Sequence, residues 1–193
     1  MEIQIGAPVV YVSFSAEINA NTTESLIAVM SNCINLKVKE VYLLFSTPGG
    51  LVINGINLYN VLKGMPFELT MHNVGNVDSI GNTVFLAGKH RYATATSTFM
   101  FHGVGFNTPK GYRFEEKLLR ERLDGILNDQ KRIGKVVSQH TSLTEEEVAE
   151  LFLQAQTKDA DFAVEKGIIH EIREVQIPTG VPVISLVFQR QSI

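Results

Sequence analysis

Residues 41–45, Val-Tyr-Leu-Leu-Phe, form an unbroken apolar run followed at once by Ser46-Thr47-Pro48-Gly49-Gly50. Such a run predicts a strand buried on both faces, the pattern of an inner strand in a largely parallel sheet. A parallel neighbour requires a crossover, and the chain supplies one: a helix over about 52–62 leads to a strand over about 68–74. Upstream, Pro8 to Phe14 is β-branched and aromatic, as in a strand. Asn21 to Cys33 places Leu26, Val29, Met30 and Cys33 at helical spacing behind the capping types Asn21, Thr22 and Thr23. The order β-α-β-α-β predicts an α/β fold, and 193 residues suit one domain over 1–193.

Gly75-Asn76-Val77-Asp78-Ser79-Ile80-Gly81 reads as the next turn, opening a short helix over 83–87, so Ser79 falls where a strand becomes a helix. Two short strands follow at 91–96 and 97–104, the second carrying His102 near its end, and then a Gly-rich loop to Gly111. A long helix over 114–139 carries Leu119, Leu123, Ile126, Ile133 and Val137 on an otherwise polar surface, which predicts a helix projecting from the core. Thr144 and Glu147 form a capping box, with Leu143 and Val148 as its hydrophobic staple. A short helix closing at Gly167 precedes strand-like residues 168–172, and 181–188 is strand-like again.

Several classes of function are disfavoured by composition. Lys and Arg total 17 against 20 Asp and Glu, with no basic stretch interleaved with aromatics, so nucleic acid is not an expected partner. Cys33 is the single cysteine and lies on the apolar stripe of the first helix, which excludes an internal disulfide and predicts a core position. No apolar run reaches bilayer length, and Met1-Glu2-Ile3-Gln4-Ile5 does not read as a signal peptide; the expectation is a cytoplasmic protein with no membrane partner. No cofactor or metal motif stands out.

Taken singly, the chemical candidates stay open. Ser79 at a tight strand-to-helix turn would expose its Oγ beside unused backbone N–H groups, or it could be a plain N-cap. His102 competes with His72, His90, His140 and His170 for any role as a base. Gly49-Gly50 is either a turn or a place where a backbone N–H approaches a substrate carbonyl closely.

Read in order, Ser46-Thr47-Pro48-Gly49-Gly50, the turn around Ser79, and Phe99-Met100-Phe101-His102 resemble the proteolytic subunit family of the Clp protease. That family shows Asn-Ser-Pro-Gly-Gly, Gly-x-Ala-Ala-Ser-Met-Gly and Met-Ile-His, and the similarity extends from about Val9 to Ile172. The resemblance implies a crotonase-like domain of repeated β-β-α units with a projecting helix. It also implies a serine endopeptidase acting on unfolded proteins or peptides, and a homo-oligomer of two stacked rings. Ser79 becomes the nucleophile, His102 its base, and the N–H groups of Gly50 and Ile80 the oxyanion hole.

Three departures from the family pattern qualify that reading. A gapless register through His140-Thr141 and Ala163-Val164-Glu165-Lys166-Gly167 puts Ala155 where the family has its triad Asp, leaving Asp159, with Asp161 near it, as the candidate orienting acid. Val77-Asp78 replaces two alanines. The family's N-terminal segment, which forms the axial entrance and contacts an unfoldase ATPase, has no counterpart before the first strand, which weighs against that partner. Two alternatives therefore stand beside the peptidase: a catalytically silent paralogue with an assembly role, and a crotonase-type thioester enzyme in which Gly50 keeps its oxyanion role.

Overall fold

The apolar run of residues 41–45 lies within β2 (Glu40–Thr47) of an eight-stranded sheet, in a computed structural model that describes residues 4–108, 110–111 and 113–188. On one side β2 pairs in parallel with β1 (Val9–Ser15), which pairs in parallel with β8 (Val183–Ser185) at the sheet edge. On its other side runs the longest strand, β3 (Glu68–Asp78). The free edge of β3 is shared by two shorter parallel strands in succession. Residues 70–73 pair with β4 (His90–Ala93), and residues 76–78 pair with β5 (Thr98–Met100). Beyond β4 lies β7 (Glu171–Ile172), and β6 (Thr157–Asp159) closes β5 as the only antiparallel strand among the described residues.

Helical crossovers make the parallel order possible. They are α1 (Ala20–Asn35), α2 (Val52–Lys63) and α3 (Gly81–Phe85). Asn19, rather than the residues after it, caps α1 through a capping box with Thr22, and Leu26, Met30 and Cys33 face the core. The core includes Phe14 stacked on Phe45 at 5.4 Å and Phe85 edge-on to Phe99 at the same separation. Burial along β2 alternates: Val41, Leu43 and Phe45 are buried while Tyr42, Leu44 and Ser46 are half-buried, so only one face is fully covered. On the second face Tyr42 meets other polar groups, stacking on Tyr11 at 4.6 Å and donating to His72 Nδ1 at 2.8 Å.

The second half of the chain leaves the sheet and returns. α4 (Glu116–His140) buries only Ile133, Gly134 and Val137, all in its C-terminal half. α5 (Glu145–Gln154) begins with the Thr144–Glu147 capping box, and Leu143 and Val148 are both buried beside it. α6 (Ala160–Glu165) ends before Gly167, whose φ is +69°. Arg91 of β4 locks these parts to the sheet. Its guanidinium donates to the carbonyls of Ile168, Gly88, His140 and Gly167, at 2.8 to 3.2 Å.

Candidate functional site

The Ser79 turn is built by packing from three sides. β3 runs on to Asp78, so most of the segment that reads as a turn is strand, and the reversal is confined to Ser79 and Ile80. Ser79 adopts φ +57°, a left-handed conformation that costs a non-glycine residue roughly 1–2 kcal/mol. Such strain persists only where surroundings over-determine it, and it concentrates at functional sites. Here Ile80 is buried and pressed against α2, where a Cβ on Gly55 would fall 2.2 Å from its Cγ1. On another side, a Cβ on Gly49 would fall 2.7 Å from Ser79 Cβ and 3.3 Å from its Oγ. The Ser79 N–H donates to the Met100 carbonyl of β5 at 2.8 Å.

The Thr-Pro-Gly-Gly segment at the end of β2 is shaped by its own hydrogen bonds. Thr47 Oγ1 accepts from the Gly49 N–H at 3.1 Å. Ile18 donates to the Gly49 carbonyl at 2.7 Å and accepts from the Leu51 N–H at 2.8 Å, a parallel bridge that flanks Gly50. In that arrangement the N–H of Gly50 itself stands outside the ladder. Neither it nor the Ile80 N–H donates to any acceptor among the described residues.

His102 follows β5, two residues past the Met100 carbonyl that holds the Ser79 N–H. Its Nδ1 lies 2.8 Å from the Gly103 carbonyl oxygen. A carbonyl can only accept, so Nδ1 carries a proton, and in the neutral imidazole Nε2 is the nitrogen that presents its lone pair. Neither Nε2 nor Ser79 Oγ has a hydrogen-bond partner among the described residues, so the two side chains are not joined to each other.

The remaining histidines are engaged elsewhere. His72 is buried with both ring nitrogens used, Nε2 donating to the Arg173 carbonyl and Nδ1 accepting from Tyr42, and burial pushes its pKa down. His140 donates from Nδ1 to the Val136 carbonyl and meets Tyr59. His170 Nδ1 accepts from the Arg91 N–H, and His90 stands 3.7 Å from Glu68.

Carboxylates are distributed differently from a simple triad. Asp159 pairs with Thr98 in the β5–β6 ladder, is exposed, and accepts the Phe162 N–H at 2.9 Å as the N-cap of α6; it is not brought to His102. The β5–β6 ladder ends at Met100–Thr157, and Ala155, exposed and with φ +49°, caps α5 two residues before Thr157. A nearer carboxylate belongs to Asp78, the residue before Ser79. Loss of hydration pushes its pKa up, while Asn76, donating at 2.5 Å, and the electrostatic influence of His102 pull in the other direction. Composition and spacing offered no reason to prefer Asp78 over Asp159 as the neighbour of His102, because its proximity comes from the β3–β5 pairing. Asn82 was likewise invisible to motif reading, and its side chain bonds both Ser79 and Met100.

The chain is similar to known proteins. The ATP-dependent Clp protease proteolytic subunit 1 of Leifsonia xyli subsp. xyli (strain CTCB07) is 24% identical over 138 residues, covering 70% of this chain and 68% of that protein. The solved structure of a ClpP1 mutant from Listeria monocytogenes superposes with a TM-score of 0.73 over 86% of this chain and 92% of its own, at 19% identity, a likeness of fold. The Clp protease family model matches residues 9–176, a span that holds all but one strand of the sheet and the whole Ser79 turn, so the chain belongs to the Clp protease family.

Proposed function

We propose that this protein is a serine-type endopeptidase subunit that cleaves unfolded protein segments or peptides through an acyl-enzyme on Ser79. The observation that carries the reading is the strained Ser79 at the β3–α3 turn, beside β5, whose continuation carries His102 two residues past the strand end with no hydrogen bond at Nε2. His102 takes the Ser79 proton as Oγ attacks the peptide carbonyl, and returns it to the leaving amine. The unengaged N–H groups of Gly50 and Ile80 receive the developing oxyanion, each worth about 2.7–4 kcal/mol by analogy with oxyanion donors elsewhere. With Ala155 at the acid position and Asp159 committed to a helix cap, the Gly103 carbonyl serves as the orienting partner of His102. It selects the tautomer without supplying a counter-charge.

Residues 1–193 act as one peptidase unit that assembles with copies of itself. Leu119, Leu123 and Leu127 lie at four-residue intervals on the projecting half of α4 and are 48%, 56% and 55% exposed. A stripe of that kind is covered when helices of facing subunits interdigitate.

Covalent labelling with a fluorophosphonate tests the chemistry. The folded, assembled protein takes up the label at Ser79, and Ser79→Ala takes up none and hydrolyses no peptide. Absence of label on the wild-type protein would rule the mechanism out.

A further inference from the structure

Asn82 is 1% exposed and sits in the first turn of α3, three residues after Ser79. Its Nδ2 donates to two carbonyl oxygens, that of Ser79 at 3.1 Å and that of Met100 at 2.8 Å. The Ser79 N–H donates to the same Met100 oxygen, and the Asn82 N–H to the Ser79 oxygen. The carboxamide therefore closes a ring of hydrogen bonds that ties both ends of the Ser79 residue to β5. Its orientation follows from the partners: two acceptors face it, so the group turned toward them is the amide nitrogen. Oδ1 is consequently turned away and has no partner, one of three buried side-chain atoms among the described residues in that condition. A buried acceptor left unpaired calls for an offsetting role, and the other end of the same side chain supplies it.

We propose that Asn82 is a positioning residue of the Ser79 site. Its carboxamide holds the left-handed Ser79 against Met100 and so fixes Ser79 relative to His102, two residues further along the same segment. The catalytic meaning of this clamp rests on Ser79 and His102 being the reacting pair; the clamp itself does not.

The test compares Asn82→Ala with Val84→Ala, a cavity in the same helix at a fully buried residue whose apolar side chain makes no hydrogen bond to Ser79 and whose backbone bond to Ile80 the substitution keeps. Native-state hydrogen exchange reads the clamp directly, because the Ser79 amide is one of its bonds. In Asn82→Ala this amide exchanges about tenfold faster or more relative to global protection, and in Val84→Ala it does not. Fluorophosphonate labelling reads the consequence. Misplacement of a nucleophile slows reaction on the order of 10²-fold, so labelling falls steeply in Asn82→Ala and stays near wild type in Val84→Ala, with folding checked at the same temperature. Should Asn82→Ala not fold, Asn82→Ser, too short to span both carbonyls, carries both readouts. Unchanged Ser79 protection in a folded variant, or equal slowing in Val84→Ala, overturns the proposal. A loosened Ser79 amide in a protein whose wild type never labels would keep the clamp and remove the peptidase reading instead.

Discussion

His102 Nδ1 faces the carbonyl oxygen of its own neighbour, Gly103, at 2.8 Å, where a serine protease triad presents a carboxylate. On the proposed mechanism the carbonyl holds the useful tautomer but, being neutral, supplies no charge to the imidazolium formed during attack. In the serine protease template, loss of the carboxylate costs about four orders of magnitude in turnover. Ala155, the position at which the family resemblance puts the acid, lies two residues before β6 and has φ +49°, a conformation that Asp tolerates better than most residues. Ala155→Asp should therefore raise kcat/KM for peptide hydrolysis, on the order of tenfold or more. The gain should vanish in the double variant with Ser79→Ala. A folded Ala155→Asp protein no faster than wild type would count against His102 as the base.

Gly50 combines two demands that a side chain cannot meet. Its φ is +147°, and a Cβ there would lie 2.1 Å from the Ile18 carbonyl oxygen, which is itself held by the Leu51 N–H. Gly50→Ala should cost about 3 kcal/mol or more, since neither backbone segment can yield without losing the bridge. At roughly 2–4 °C per kcal/mol for a chain of this size, the melting temperature falls by about 6–12 °C. Gly105, with nothing within 4 Å of its would-be Cβ, is the control, and Gly105→Ala should melt with the wild type. Equal melting of Gly50→Ala and wild type would show that the Gly50 backbone is less constrained than this contact requires.

How far the site could be read in advance depended on whether a local signal existed. The apolar run at 41–45, the Thr144–Glu147 capping box and Gly167 are local, and each led to its element. The end of β3 did not: Gly75 and Asn76 read as turn residues, yet Asn76 continues the strand because Thr98 pairs with it and Ser46 and Thr47 bond its side chain and backbone. Tertiary pairing overrode local propensity there. The half-covered face of β2 was missed for a related reason. Tyr42 and Leu44 look like core in one dimension, and only the sheet shows Tyr42 beside Tyr11 and His72. Ser79 and His102 stand 23 residues apart in the chain. Their neighbouring strand ends follow from β3 and β5 pairing in parallel, a relation that order and motif suggested and that only pairing could place.

Asp78 gives the fold a pH dependence with a definite sign. Burial raises its pKa in the folded state above the ordinary carboxylate value of about 3.9. A raised folded pKa means that the native state binds the proton more tightly than the unfolded chain, so this group favours folding at acid pH. That contribution is lost as pH rises through the folded pKa. Near neutrality the ionised Asp78 is thus a liability relative to a neutral isostere. Asp78→Asn should melt higher than wild type at pH 7, with the difference shrinking toward zero as the pH approaches the ordinary carboxylate range. Thermal unfolding at pH 7 and pH 4 decides the matter, and a lower melting temperature for Asp78→Asn at pH 7 would contradict it.

The projecting half of α4 offers the clearest handle on assembly. The helix spans 25 residues, about 37 Å at 1.5 Å per residue, and its buried residues, Ile133, Gly134 and Val137, all lie near one end. Leu119, Leu123 and Leu127 share one face beyond the subunit's own core, while Arg120 pairs with Glu116 on the helix surface at 2.7 Å. A surface ion pair of that kind contributes little, about 0.3–0.5 kcal/mol, and on the proposed assembly the helix of a facing subunit covers the apolar stripe. Leu123→Glu places a charge in the middle of the stripe without touching the sheet or the Ser79 turn. Sedimentation velocity should show the largest species of the wild type giving way to smaller ones. The melting of each subunit's core should change little when measured at dilution low enough to dissociate the wild type. An unchanged distribution of species for Leu123→Glu would mean that copies of this chain do not meet through α4.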